Sequence, residues 1–413
     1  MASRRDITIR RRKPAGRKTD NTENGADLSV VSGRRKRPRS LLRVLFRFVV
    51  VIVLIIGVVY TWQNWDVIAP EGVIYWVNDK LAGGQSGDGF PVEITGSSVI
   101  NMTNTKDGLV LLTDTSVAVL NSKGGEIIRR QHGFSKPIMR TNDKWILVAD
   151  TGGTRIRIET RGATKVEMKL NNRIISAAMG NNGGFAAATD SSKGYTSEVV
   201  AYNRQQEKIY HWYSTELTVL DVALSPNGKS MAVVGVMAEG GAMKCSLLFF
   251  NFDKEGPIAE YHSTDLMLFC VRYFPGGTVA AVGDRGLWVF NESGTIQQKH
   301  SFDDFQLAGY TVGDRSVAVA LRNFGNTDGG TVLTVNSTGD KAYSVPYNGV
   351  FRSIAPYKTG MILLTSEELY RTDAAGVVYK ENTIRDGRMV CSLENKMIVL
   401  GLTALNEIET KHT

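Results

Sequence analysis

The chain reads as an all-β protein, an eight-bladed β-propeller preceded by one transmembrane helix and a short amphipathic helix. Three observations carry that reading. First, eight times between residues 109 and 402 a polar turn rich in Gly, Asn or Asp leads into a six-residue apolar run. The runs are LVLLTD from Leu109, WILVAD from Trp145, FAAATD from Phe185, MAVVGV from Met231, VAAVGD from Val279, VAVALR from Val317, MILLTS from Met361 and MIVLGL from Met397. Their starts lie 36, 40, 46, 48, 38, 44 and 36 residues apart. A period near 40 residues made of short strands is the mark of a propeller with four-stranded blades. Second, the last repeat lacks a strand that the first has to spare. MIVLGL is followed by ALNEIE and then by the end of the chain at Thr413, whereas FPVEIT (Phe90 to Thr95) stands ahead of the first repeat's opening strand. A ring closed by that N-terminal strand accounts for both and leaves no open sheet edge. Seven blades is the alternative, with Met397 onward as a tail. Third, Phe48 to Tyr60 reads FVVVIVLIIGVVY without a polar residue.

From the N-terminus, residues 1–40 lack periodic apolar residues and read as a disordered basic tail. Residues 1–47 hold 15 Lys+Arg against 4 Asp+Glu, so the formal charge of +8 is concentrated there and the rest of the chain is mildly acidic. On net charge the globular part offers no surface for nucleic acid. Residues 41–62 are long enough to span a bilayer once Arg43 and Arg47 reach back to the headgroups. Trp62 and Trp65 suit the far interface, and the basic excess predicts a cytoplasmic N-terminus beside anionic lipid, with the rest extracytoplasmic. A cleaved signal peptide fits less well, because its basic region would run to 47 residues and YTWQNWD offers no small-residue cleavage site. Residues 63–89 read as a stalk: a helix from Pro70, with Val73, Ile74, Val77 and Leu81 on one face, then the hinge GGQSGDG.

Residues 90–413 form the propeller. With strands labelled a to d from the axis outward, the apolar runs are strands b, buried on both faces and therefore not alternating. Strands c follow as SVAVLN, EVVAYN, SLLFFN, GLWVFN and TVLTVN, each ending in an Asn that suits the next turn. EIIRRQ, KIYHWY and IQQKHS read as strands d.

LSPNGKSMAVVGV (Leu224 to Val236) and YFPGGTVAAVG (Tyr273 to Gly283) resemble the S-P-D-G turn of WD40-like propeller repeats, which is specific for fold and nearly silent on function. The whole arrangement of basic tail, single span, PEGVIYWVNDKL helix, GDGFPVEITGSSV and repeats resembles an uncharacterised family of membrane-anchored propeller proteins of Gram-positive bacteria. That resemblance implies no activity. Eight-bladed quinone-cofactor dehydrogenases carry a repeated docking motif with a Trp after the turn; NSKGGEI, NESGTIQ and DAAGVVY have none, so no cofactor is expected.

No catalytic or metal residue is assigned. His132, His211, His262, His300 and His412 have no ligand spacing, and Cys245, Cys270 and Cys391 sit in apolar stretches as buried small hydrophobes, with a Cys245 to Cys270 bridge as the alternative. Asp114, Asp150, Asp190 and Asp284 all end a strand b. A ring of carboxylates for a cation is one reading, and an Asx-turn capping the connection from strand b to strand c is the preferred one. The longest inserts, SSKGYTSE, MAEGGAMK and NFGNTDGG, join strand b to strand c and should emerge on one face; a binding surface is one reading of them and ordinary drift in solvent loops is the other. The expected function is a non-enzymatic binding or scaffold module for an envelope protein, peptide or glycan. An envelope polysaccharide hydrolase or lyase with its site at the channel mouth is the alternative, and it needs acidic or His groups converging from several strands a.

Overall fold

In the computed structural model each of the eight apolar runs lies in the second strand of a four-stranded antiparallel sheet, and the eight sheets are the eight blades expected. The structure describes residues 41–63, 87–94, 96–142, 144–325, 328–381 and 385–410. The basic tail, the stalk helix from Pro70 and the hinge up to residue 86 lie outside them. The seven-blade alternative fails, because Met389–Leu393, Lys396–Leu400 and Ala404–Ile408 form a true eighth sheet whose fourth strand is Val92–Glu93.

A blade in a ring is flanked on both faces by other blades, so its second strand has no solvent side. Gly108–Thr113, Ile146–Asp150, Val279–Gly283 and Gly360–Thr365 are accordingly buried at every residue. The core lies between blades: Leu147, Ala149, Ile156 and Ile158 of blade 2 pack against Phe185, Ala187, Val200 and Tyr202 of blade 3. Each such side chain contributes about 1.5–3 kcal/mol when fully buried. At the rim, Glu126–Gln131 and Thr164–Lys169 bury only their second or third residue and expose charged neighbours. That charge discourages a fifth strand from adding to the edge.

Ring closure follows the expected pairing, with Val92 opposite Leu405 and Glu93 opposite Ala404. The Ile94 N–H extends it, donating to the Thr403 carbonyl at 2.7 Å. Phe90, Val92 and Ile94 pack into a cluster that joins Val99, Leu109 and Leu111 of blade 1 to Ile398, Leu400 and Leu405 of blade 8. Gly124, at φ +75, lies close by, and a Cβ there would sit 2.5 Å from Val92 Cγ2. Glycine is therefore required both by its left-handed backbone and by the approach of the closing strand.

The Asn that ends each of five strands c makes the turn expected of it. Asn121 Oδ1 accepts the N–H groups of Lys123 and Gly125, and Asn291 Oδ1 accepts that of Thr295. Asn203, Asn251 and Asn336 accept in the same way from Glu207, Asp253, and Thr338 with Asp340.

The chain divides into two units, the first ending at Trp65, and the described part of that first unit is a single helix. Its helix, Leu41–Gln63, covers the stretch expected to span a bilayer. Side chains are described for residues 45–59, and among the described residues no helix is long and apolar enough to cross a membrane. The expected span is thus matched by a helix, while its passage through a bilayer is not shown.

Candidate functional site

Antiparallel pairing puts every connection from b to c, and every connector entering strand a from the preceding blade, on one face of the disc. The four strand-end aspartates hold that face together, but not in the place expected. Asp114 Oδ1 accepts the Ser98 N–H at 3.2 Å, and Asp150 Oδ1 those of Ser135 and Lys136 at 2.9 and 3.0 Å. Asp190 Oδ1 accepts the Arg173 N–H at 2.8 Å, and Asp284 Oδ1 that of Met267 at 2.9 Å. Each donor lies just ahead of strand a, so the carboxylate ties the incoming connector to the end of strand b and does not cap the b to c turn. Asp114, Asp190 and Asp284 also donate their own N–H to the same connector's carbonyl. Ser366 repeats the device in blade 7, its Oγ accepting the Val350 N–H at 2.9 Å. Among the described residues no group of three or more His, Cys, Asp or Glu is placed to hold a metal ion.

The three inserts emerge on this face. In blade 4 the insert is a straight extension of the sheet, Ser230–Glu239 paired with Ala242–Asn251 and turned by Gly240 and Gly241 at φ +59 and +82. Two residues at positive φ form the turn whose twist matches a hairpin. The loops carry apolar side chains into solvent: Tyr195 in blade 3, Met243 in blade 4, Phe324 in blade 6 and Leu402 in blade 8. Val350, in the connector to blade 7, is exposed on the same face. Tyr195 is held by stacking on Tyr213, ring centroids 4.7 Å apart.

Inside the ring the eight strands a surround an axial channel of about 840 Å³. Its wall carries a polar tie that strand-by-strand reading missed. Asp221, in Thr218–Leu224 of blade 4, is 4% exposed. Its carboxylate accepts hydrogen bonds from Ser176 Oγ of blade 3 at 2.7 Å, and from the Val271 N–H and Arg272 Nη1 of blade 5 at 3.2 and 2.6 Å. Arg140 Nη2 of blade 2 reaches it at 3.4 Å. Burial opposes ionisation of Asp221 most strongly, yet Arg272, Arg140, Ser176 and the Val271 N–H together hold its pKa below the ordinary 3.8. Arg140 is lowered by its own burial and by Arg272 beside it. One carboxylate therefore serves two guanidiniums, and among the described residues the buried Arg140 Nε and Tyr273 hydroxyl find no partner. Arg352 and Arg388, where blades 7 and 8 enter the channel, add two more cations to the wall. A charge inside an otherwise apolar inner strand, as in PIMRT or LFCVRY, was the available signal.

The histidines serve locally: His132 Nδ1 accepts the Phe134 N–H, His211 meets Glu198 at 2.7 Å, and His300 bonds the Gly339 carbonyl. His412 lies outside the described residues. All three cysteines are free and buried, so the alternative bridge between Cys245 and Cys270 is not formed.

Residues 91–409 match the sequence profile of a family of unknown function, DUF5711. The C-terminal WD40 domain of Sif2 superposes with a TM-score of 0.55 at 11% identity, over 79% of this chain and 99% of that one. BamB from Moraxella catarrhalis gives 0.47 at 11% identity, over 77% and 100%. Likeness at that identity shows fold alone. No curated protein sequence matches.

Proposed function

The chain belongs to DUF5711, a family of unknown function, and from that premise we propose that it is a membrane-anchored, extracytoplasmic propeller that binds or scaffolds an envelope protein, peptide or glycan. The carrying observation is that Tyr195, Met243, Phe324, Leu402 and Val350 all stand exposed on the face of the b to c loops. Exposed apolar side chains set on a rigid frame of sheets, rimmed by polar loops, are the ordinary make-up of a protein contact. The anchor is supported by the helix Leu41–Gln63. Thirteen of its fifteen described side chains are large, apolar and exposed on all sides, as befits lipid. The described side chains alone cover about 22 Å, but the 23-residue backbone covers about 34 Å at 1.5 Å per residue, enough for a hydrocarbon core near 30 Å.

The rival hydrolase or lyase asks for a carboxyl with a raised pKa paired with a second carboxylate. Asp221 has the opposite shift and is tied to two arginines.

Photo-reactive residues placed at Met243, Phe324 or Leu402 of the full chain in intact cells test the binding face, with Val377 on the opposite face as control. Adducts from the first three positions and none from Val377 are expected. Equal capture from both faces, or turnover of a cell-wall polymer by the purified chain without any capture, overturns the proposal.

A further inference from the structure

The wall of the axial channel is cationic in a domain that is not. Arg140, Arg272, Arg352 and Arg388 come from blades 2, 5, 7 and 8; the carboxylates near them are Asp221, which pairs with Arg140 and Arg272, and Asp314 at the rim, which makes no ion pair among the described residues. Four guanidiniums against two carboxylates leave two positive charges in excess. Beyond residue 47 the chain holds 34 Lys+Arg against 37 Asp+Glu, so this excess does not follow from the overall charge. It is a local arrangement assembled from four separate repeats.

Three features make the arrangement a site and not only a tie. Arg140 and Arg272 remain 28% and 26% exposed at the side chain, open to the channel while bonded to Asp221 on their other side. Asp221 itself is 4% exposed, so it orients the two guanidiniums from behind. Donor capacity is left over: the Arg140 Nε and the Tyr273 hydroxyl find no acceptor, and among the described residues Arg388 makes no ion pair. Arg352, by contrast, donates to the carbonyls of Arg385 and Gly387 and is pinned to the wall. Guanidinium forks preorganised by a buried carboxylate, in a channel walled by low-dielectric strands, are suited to tetrahedral oxyanions.

We propose that the axial channel binds a small phosphate-bearing ligand, held by the guanidiniums of Arg140, Arg272 and Arg388. Phosphate answers an excess of two positive charges with its near-double charge at neutral pH, and it fits better than a dicarboxylate of equal charge because its oxygens radiate from one centre toward guanidinium forks on different blades. A volume of about 840 Å³ admits a phosphate ester of sugar size. The site lies on the axis and uses charged side chains of the channel wall, whereas the contact face uses apolar side chains of the surrounding loops, so substitutions distinguish the loss of one from the loss of the other.

Calorimetric titration of the full chain in detergent tests this with inorganic phosphate, glucose 1-phosphate and succinate as probes. Phosphate and its ester are expected to bind and to compete with each other, and succinate to bind at least tenfold more weakly. Arg140→Gln and Arg388→Gln are each expected to weaken phosphate about tenfold or more, as loss of a charge-assisted hydrogen bond does. Arg140→Lys is expected to recover less than half of that loss, since a point charge lacks the fork. Arg388 lies at the mouth and forms no tie, so its variant keeps the claim testable if Arg140→Gln misfolds. No heat up to about 10 mM phosphate, well above the roughly 1 mM that marks weak binding, overturns the proposal. So does phosphate binding unchanged in both Gln variants, or succinate binding as tightly as phosphate.

Discussion

Replacing Asp221 by Asn keeps the side chain's shape and removes its charge. In the native ring this carboxylate, on blade 4, is bonded to blade 3 through Ser176, to blade 5 through Val271 and Arg272, and to blade 2 through Arg140. The Asn amide leaves two guanidiniums, each about a quarter exposed, facing one another without a counter-charge. Removing one partner of a buried pair costs about 3–5 kcal/mol, because the remaining charge stays desolvated. Both arginines are partly exposed to the channel, so the lower end, about 3 kcal/mol, is expected. With a urea m-value near 3 kcal/mol/M for a large domain, the midpoint should fall by about 1 M. The change should also depend on pH. The folded pKa of Asp221 lies below its unfolded value, so its stabilisation is present above about pH 4 and is lost as the pH falls through the folded value. Wild type and variant should therefore converge in acid. Urea unfolding followed by tryptophan fluorescence at pH 7 and pH 3 measures both effects. A midpoint shift below about 0.3 M at pH 7, or one as large at pH 3, would refute the four-blade tie.

The remaining expectations concern closure, connectors and titration. Leu405→Ala removes a side chain that is fully buried in the cluster holding the closing strand and should cost about 2–5 kcal/mol in the same urea assay. Asp284→Ala should cost about 1 kcal/mol by freeing the Met267 N–H; amide exchange at Met267 and Leu268 should accelerate while distant blades keep their protection. The pKa of His132 is lowered by burial below its ordinary 6.5, so its contribution is present above about pH 6.5 and is lost as the pH falls through the folded value. His132→Gln should flatten the stability profile across that window.

Much of the architecture was legible because each blade repeats one local problem. A strand packed on both faces has to be continuously apolar, and Leu109, Phe185 or Met361 opening such a run marks it without reference to any neighbour. The strand-end asparagines were equally readable, since an amide bonding a backbone two to four residues onward is a local event. The strand-end aspartates show where local reading stops. Their type and structural role were visible, but their acceptor bonds reach back 14 to 17 residues across the antiparallel pair of strands a and b.

The chain alone thus set the repeat and the order of strands within a blade, which follow from periodic hydrophobicity, and pointed to a closing strand given by the N-terminal end, while the choice of eight blades over seven was made by the eighth sheet itself. The channel was settled by closure. Arg140 and Arg272 stand 81 and 51 residues from Asp221, in inner strands that look like ordinary members of the repeat. Nothing within one repeat of about 40 residues requires the three to meet. They do so because a closed ring turns every strand a toward one axis, where charges from different repeats share a single space shielded from bulk water.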